Sequence, residues 1–367
     1  MTLFADNPVA PGRRPSGAER AGRIALLVAV AIGLILALAP APYVIEKPGP
    51  VFNTLGTAPH EGEEAPLITI EGADVYPTEG SLDLLTVSLL GNPEDRPNWL
   101  NVAVAWFDPS EAVVPLESAF PSDVTSEQRE AQNQLAMVNS QQDAIAAALT
   151  NLGYDYPSRI NVMSLPSGSP AQGVVEEGDQ VVSVNGVDVA DVAALRAELK
   201  RNGTDTEATL EVLRDGSEKS LKVTPVESSG NIVVGINVKM EYDFPFKVGI
   251  QLDRVGGPSA GMMFALGIID KLTPGAIQGG ENVAGTGTID QAGHVGPIGG
   301  IRQKLYGARD AGAEWFLAPQ ANCDEITGHI PDGLTVFAVQ TLDDSLAALD
   351  SIRTGSDTGS LAACPAS

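Results

Sequence analysis

From Ile24 to Ala39 every residue is apolar or glycine, and the run reaches Ile45 if Pro40, Pro42 and Tyr43 sit near its far end. A helix of that length crosses the hydrocarbon core of a bilayer. Between Tyr43 and about Phe107 the pattern changes to short apolar or alternating runs broken by glycine and proline. Leu67-Ile68-Thr69-Ile70 and Leu84-Leu85-Thr86-Val87-Ser88-Leu89-Leu90 are examples, and they predict strands. From Thr125 to about Leu152 the chain is rich in Gln, Ala and Glu, with Thr125 and Gln128 placed as a capping box and Gly153 as a stop, so one long helix is expected. Further on, Gly178-Asp179 turns the chain into a strand, Val192 to Leu199 is helix-like, and Asn185-Gly186 and Asp215-Gly216 are tight-turn signals. A strand-like run from Val248 to Val255 leads into Gly256-Gly257-Pro258-Ser259-Ala260-Gly261, and Met262 to Leu272 is apolar at helical length. Gly285 to Lys304 reads as a hairpin, a glycine turn and a new helix. The predicted class is α+β.

The 367 residues leave room for two or three domains, and 43% hydrophobic content suffices for a sizeable core. Lys and Arg number 22 against 47 Asp and Glu, a formal net charge of -25. Such a surface repels polyanions, which argues against a nucleic-acid partner or a broad contact with anionic lipid. The two cysteines, Cys323 and Cys364, lack the spacing of a zinc site, so no structural metal is expected. In an oxidising compartment their pairing would close a loop of about 40 residues and pin the C-terminal tail, contributing roughly 4 kcal/mol in the chain-entropy model.

The apolar N-terminal run bears on compartment. Arg13, Arg14, Arg20 and Arg23 precede it with few acids, so the positive-inside bias keeps that tail cytoplasmic and exports the main body of the chain. A cleaved signal peptide competes, because Ala37-Leu38-Ala39 and Ala39-Pro40-Ala41 offer small residues at cleavage positions. Both are followed by proline, which hinders docking in a peptidase site. A buried helix of a soluble protein is the remaining alternative.

Ser259 lies where a turn becomes a helix, with glycines on both sides that let backbone approach a substrate closely. A helix N-terminus offers unpaired N–H groups able to hold the oxyanion formed when a serine attacks a peptide carbonyl. The residue types alone also fit a serine that merely caps the helix. Gly257-Pro258-Ser259-Ala260-Gly261 fits the Gly-x-Ser-x-Gly elbow of α/β-hydrolases as well, which would need an acid and a histidine downstream, where only His294 and His329 occur.

Gly257-Pro258-Ser259-Ala260-Gly261 and Gly285-Thr286-Gly287-Thr288 through Pro297-Ile298-Gly299-Gly300-Ile301-Arg302-Gln303-Lys304 together resemble the proteolytic domain of Lon proteases. In that family a serine in Gly-Pro-Ser-Ala-Gly pairs with a lysine after Pro-Ile-Gly-Gly, and the separation here is 45 residues. The resemblance covers roughly Val234 to Leu349 and implies Ser259 as nucleophile and Lys304 as general base. Thr286 matches a family threonine that hydrogen-bonds the lysine, and Gly257 and Ala260 are supporting positions beside the serine. Gly256 and Thr288 stand where the ATP-dependent members often carry an acid and a glutamate. A lysine acts as base near neutrality only if its pKa falls from about 10.4 toward 7 or 8, roughly 4 kcal/mol of destabilised charge, and burial among Ile298, Ile301 and Leu305 would supply it.

Residues from about Ile160 to Val226 resemble a bacterial PDZ domain, which implies that an extended peptide can add to a sheet edge; a β-rich spacer without ligand is the alternative. No carboxylate-binding loop stands out, and Tyr156 to Asn161 is the segment considered for it. The order of anchor, PDZ-like part and protease is similar to the PDZ-containing Lon-like proteins of Gram-positive bacteria. The expected division is a cytoplasmic tail 1–23, an anchor 24–45, a β-rich segment with a long helix 46–155, a PDZ-like domain 156–230, a Lon-like proteolytic domain 231–352 and a tail 353–367. No phosphate-binding Gly-x-x-x-x-Gly-Lys-Ser/Thr loop occurs, so ATP-independent hydrolysis of unfolded or extended polypeptides, without cofactor, is expected. The resemblance also implies self-association. A noncatalytic peptide-binding scaffold is the competing function.

Overall fold

The computed structural model describes residues 17–60, 62–121, 125–228, 230–253, 255–356, 359 and 361–365. Arg13 and Arg14 of the expected cytoplasmic tail lie outside the described residues, as does Arg254 of the expected strand. Two compact units are present.

The smaller unit comprises Met1–Glu46 and Leu89–Pro121. Its helix Gly17–Leu38 has a segment, Arg20–Leu38, long and apolar enough to cross a membrane, and none of that segment is buried. The apolar run does not continue as helix to Ile45. Pro40 and Pro42 remove backbone donors, and Tyr43–Glu46 instead begin a strand that pairs antiparallel with Ala112–Pro115. Trp99–Ala105, expected within a strand-rich region, is helical. Asn98 caps it, its side chain accepting from the Asn101 N–H at 2.9 Å.

In the larger unit, strands Thr335–Val339, Trp315–Pro319 and Asn282–Gly285, then residues 81–88 and 47–53 of the strands Ser81–Leu90 and Tyr43–Asn53, lie side by side in that order, the first four parallel. Parallel strands covered by helices are buried on both faces, which is why Phe316, Phe337, Leu82 and Leu84 are almost completely enclosed. Helix Gly261–Leu272 is apolar on every side, and its first ten residues are all buried. The long helix Ser126–Asn151 packs against it and starts with the capping box of Thr125 and Gln128. Its buried stretch is Ala144 to Leu149.

A second core, running from Ile160 to Val234, belongs to a sheet ordered Ser217–Val223, Ala208–Arg214, Gln180–Val184, Ser158–Ser164, Asn237–Tyr242. Asn185 and Asp215 adopt φ +51°, each followed by a glycine of positive φ, as tight hairpin turns require. Asp179 is fully enclosed and takes two 2.7 Å hydrogen bonds from Arg214, whose guanidinium holds the carboxyl below the usual carboxylate range despite burial. Where this sheet joins the long helix, Tyr242 donates to Asp143 at 3.0 Å and stacks on Phe244 beside Tyr156. Burial pushes Asp143 up to about 6.

Cys323 and Cys364 form a disulfide across 41 residues, with Cα atoms 5.0 Å apart. It fixes the tail, whose Ala362 carbonyl accepts from Ala338 N–H at 2.9 Å at the edge of the main sheet. A Cys364→Ser chain should lose up to about 4 kcal/mol of unfolding free energy in urea under oxidising conditions, by the loop-closure argument. An unchanged urea midpoint would show that the cross-link does not constrain the unfolded chain.

Candidate active site

Three elements of the larger unit meet at one point. The first is the turn 256–260. The strand expected to reach Val255 ends at Ile250. Gly257 then takes φ +87°, a conformation open to glycine, and donates its N–H to Asn133 O at 2.9 Å. The Pro258 carbonyl accepts from Ser140 Oγ at 2.9 Å, so the long helix grips the turn twice. Gly261 packs so tightly that an added Cβ would lie 2.8 Å from Ser140 Oγ and 3.0 Å from an Ile289 methyl.

Helix Gly261–Leu272 begins directly after the turn, and its N-cap is Ala260, not Ser259. The serine hydroxyl therefore does not act as a cap. Its oxygen is 2.8 Å from Lys304 Nζ.

The second element, helix Ile301–Asp310, carries Lys304 one turn in. Gly300 enters it at φ +66°, and the preceding loop is clamped by Asn322, which accepts from Ile298 N–H at 3.0 Å and donates to Ile298 O at 2.9 Å. Lys304 is 2% exposed, packed near the wholly buried Ile301 and Leu305. Burial pulls its amine down to about 7.

The third element is the segment after strand Asn282–Gly285. Thr286 Oγ1 is 2.9 Å from Lys304 Nζ and donates to the Ser259 carbonyl at 2.9 Å, while Gly287 N–H donates to the same carbonyl at 2.9 Å. The threonine's single hydroxyl hydrogen is used on that carbonyl. It can therefore only accept from the lysine, and a neutral amine then keeps a second N–H and its lone pair for Ser259 Oγ.

Ser259, Lys304 and Thr286 are thus brought together, with Gly257 and Ala260 on either side of the serine. Ser259, Ala260 and Lys304 open on a cavity of about 860 Å³ also lined by Phe52, Leu84, Val87, Met137 and Val255. The histidines stand apart: His294 pairs with Asp290 and His60 with Asp253, each at 2.9 Å. Among the described residues no histidine is hydrogen-bonded to Ser259, which leaves the hydrolase elbow without its base. Sequence reasoning missed Asn133, Ser140 and Asn322, which hold the two loops. Ser140 lies 118 positions from its partner, and no local pattern carries that signal.

Residues 254–350 match the model of the Lon protease (S16) C-terminal proteolytic domain, and residues 133–224 match that of the PDZ domain. The chain is 30% identical over 171 residues to Lon protease 2 of Herpetosiphon aurantiacus, covering 45% of this chain and 20% of that protein. It is 28% identical over 199 residues to Lon protease of Campylobacter concisus, covering 47% and 24%. The alignment thus spans about a quarter or less of the length of these relatives. Among solved structures, the PDZ domain of an SdrC-like protein from Listeria innocua aligns at 13% identity and TM-score 0.21, covering 22% of this chain and 92% of that one.

Proposed function

We propose that this chain, which carries a Lon-type proteolytic domain and a PDZ domain, is an ATP-independent serine endopeptidase with Ser259 as nucleophile and Lys304 as general base. The observation that carries this reading is the 2.8 Å approach of a buried amine to a hydroxyl at a helix start. With its pKa near 7, a large fraction of Lys304 is neutral at physiological pH. Its lone pair takes the Ser259 proton as Oγ bonds to the substrate carbonyl carbon. The carbonyl electrons move to oxygen, and that oxyanion is received by N–H groups at the start of helix Gly261–Leu272, the Ala260 N–H being the nearest in sequence. Collapse breaks the C–N bond, and the leaving amine takes the proton from Lys304. The same lysine then activates water to hydrolyse the ester on Ser259.

Thr286 positions the amine and anchors the serine backbone in one hydrogen-bonded path. The absence of a phosphate-binding loop motif in these 367 residues supports catalysis without nucleotide. Polypeptides that are already unfolded or extended are the substrates, presented or gated by the PDZ domain, and copies of the chain associate through the proteolytic domain. The division suggested by the sequence, with a PDZ-like part at 156–230 and a proteolytic part at 231–352, belongs to the same proposal. Arg20 and Arg23, near the start of the helix and ahead of its apolar run, support an anchor with the catalytic part outside the cytoplasm.

Full-length chain in detergent, given a dye-labelled, permanently unfolded protein without nucleotide, should release small fragments at a rate unaffected by added ATP. No release with or without ATP would sink the catalytic reading and favour a binding scaffold.

A further inference from the structure

The stretch from Pro97 to Phe107 carries no charge, although Glu94-Asp95-Arg96 precede it and Asp108 follows. Its middle is the helix Trp99–Ala105 of the smaller unit, which turns Val102 and Ala105 inward, both almost fully buried. The rest of it is left bare: Trp99, Leu100, Val104, Trp106 and Phe107 are exposed, Phe107 at 89%. Phe107 N–H still donates to Val104 O at 3.0 Å, so the turn continues past the helix end. Leu100, Val104 and Phe107 therefore repeat at i, i+4 and i+7 on one face roughly 60° wide, and Trp99 and Trp106 fall together beside it. In a chain of net charge -25, an uncharged aromatic face of this kind calls for a covering.

The backbone fixes where this face lies along the apolar helix Gly17–Leu38. Ala39 N–H donates to Ile35 O at 2.9 Å, closing the last helical turn. Directly after it, Ala39 O accepts from Trp99 N–H at 3.3 Å, Pro40 bridges to Asn98, and Ala41 N–H donates to Pro97 O at 2.8 Å. The Trp99 ring meets Tyr43 edge to face, with ring centres 5.8 Å apart. The short helix is thus tied to the residues by which the chain leaves the long one. The apolar segment Arg20–Leu38 has 19 residues. At 1.5 Å per residue it measures about 28 Å, against a hydrocarbon core of about 30 Å. It has no length to spare, so when it spans a bilayer its end stands at the boundary between acyl chains and headgroups, and Trp99 stands there with it.

We propose that the segment Trp99–Phe107 lies in the membrane interface of the leaflet from which the chain emerges, as a second lipid contact beside the span. The proposal rests on the reading of Arg20–Leu38 as an anchor. Tryptophan and tyrosine suit that depth because an apolar ring carries one polar N–H or O–H. Leu100, Val104 and Phe107 enter the acyl region, while Asp95 and Asp108 at the two ends remain in water. The contact is apolar, so it needs no anionic lipid, in keeping with the charge of the chain. A lone span lets the unit it carries swivel about the helix axis; a second contact beside it removes that freedom.

The test uses full-length chain in vesicles of zwitterionic phosphatidylcholine brominated on its acyl chains, with tryptophan quenching as the readout. Trp106 is the reporter, because Trp99 stays near the boundary by its tether alone. In a Trp99→Phe chain the remaining tryptophans are Trp106 and Trp315, and Trp315 stacks on Phe337 in the other unit. A chain with both Trp99→Phe and Trp106→Phe gives the Trp315 background. Quenching of the Trp99→Phe chain should exceed that background at least about twofold. Adding Leu100→Asp, Val104→Asp and Phe107→Asp, all at exposed positions, should return it to background while the chain still resists alkaline carbonate extraction. Background quenching in a carbonate-resistant Trp99→Phe chain, or quenching that survives the three acidic substitutions, overturns the proposal and leaves the anchor standing. So does shielding of Trp106 from both the bromines and aqueous iodide, which would mean that a second copy of the chain covers the face. Release by carbonate sinks the anchor, and the proposal with it.

Discussion

Ser259→Ala and Lys304→Ala each abolish fragment release from an unfolded protein, with losses of at least about 10³-fold, while peptide binding by the PDZ domain is kept. A positioned general base contributes roughly 10²- to 10⁴-fold, and removing the nucleophile leaves no covalent route at all. Because the two side chains act as one unit, the double variant should be no worse than either single one. Lys304→Arg should be as inactive as the alanine variant, since a guanidinium stays protonated and its fork does not match the single acceptor geometry around Ser259. The unaltered chain should gain activity as pH rises through about 7 and hold it above, because the neutral amine is the active form. Initial rates of dye release from pH 5.5 to 9 check both statements. A Lys304→Ala chain that keeps a tenth of the activity, or a profile falling through pH 7, removes the lysine from the mechanism.

Much of this site was legible because its chemistry is carried by short, locally coded segments. The turn 256–261 needs glycines for its backbone and a subsequent apolar run for its helix, and both are visible in the residues. The capping box at Thr125 placed the long helix start to the residue. The hairpin turns at Asn185-Gly186 and Asp215-Gly216 follow from the positive φ those residue pairs tolerate.

The features that could not be read depend on partners far apart in the chain. Asn322 looks like any surface asparagine until the fold puts Ile298 within its reach. The sequence does not say that one side of a Gln-rich helix will grip a serine turn, since its sides mix polar and apolar residues. Trp99–Ala105 departs from the strand expectation because aromatic and branched residues favour strands only on average, and one capping asparagine decides otherwise here.

Lys304→Met should make the protein more stable as it makes it inactive. Lysine in water has a pKa of about 10.5, and burial lowers it to about 7 in the folded chain. The unfolded chain therefore binds more protons between those values, and stability attributable to this group rises with pH across that window. Below about pH 7 the full penalty is present, on the order of 5 kcal/mol at about 1.4 kcal/mol per unit, and no solvent discount applies to a side chain 2% exposed. Methionine fills a similar volume without charge, but it gives up the hydrogen bonds to Thr286 and Ser259, each contributing about 1 kcal/mol. The net gain expected in urea unfolding at pH 6.5 is thus about 2–3 kcal/mol. By pH 10 the charge penalty has shrunk to roughly 1 kcal/mol, so the gain should vanish or turn into a small loss. A methionine chain less stable than the unaltered one at pH 6.5, or a gain that does not change with pH, would mean that Lys304 is not held neutral by the fold and could not serve Ser259 as its base.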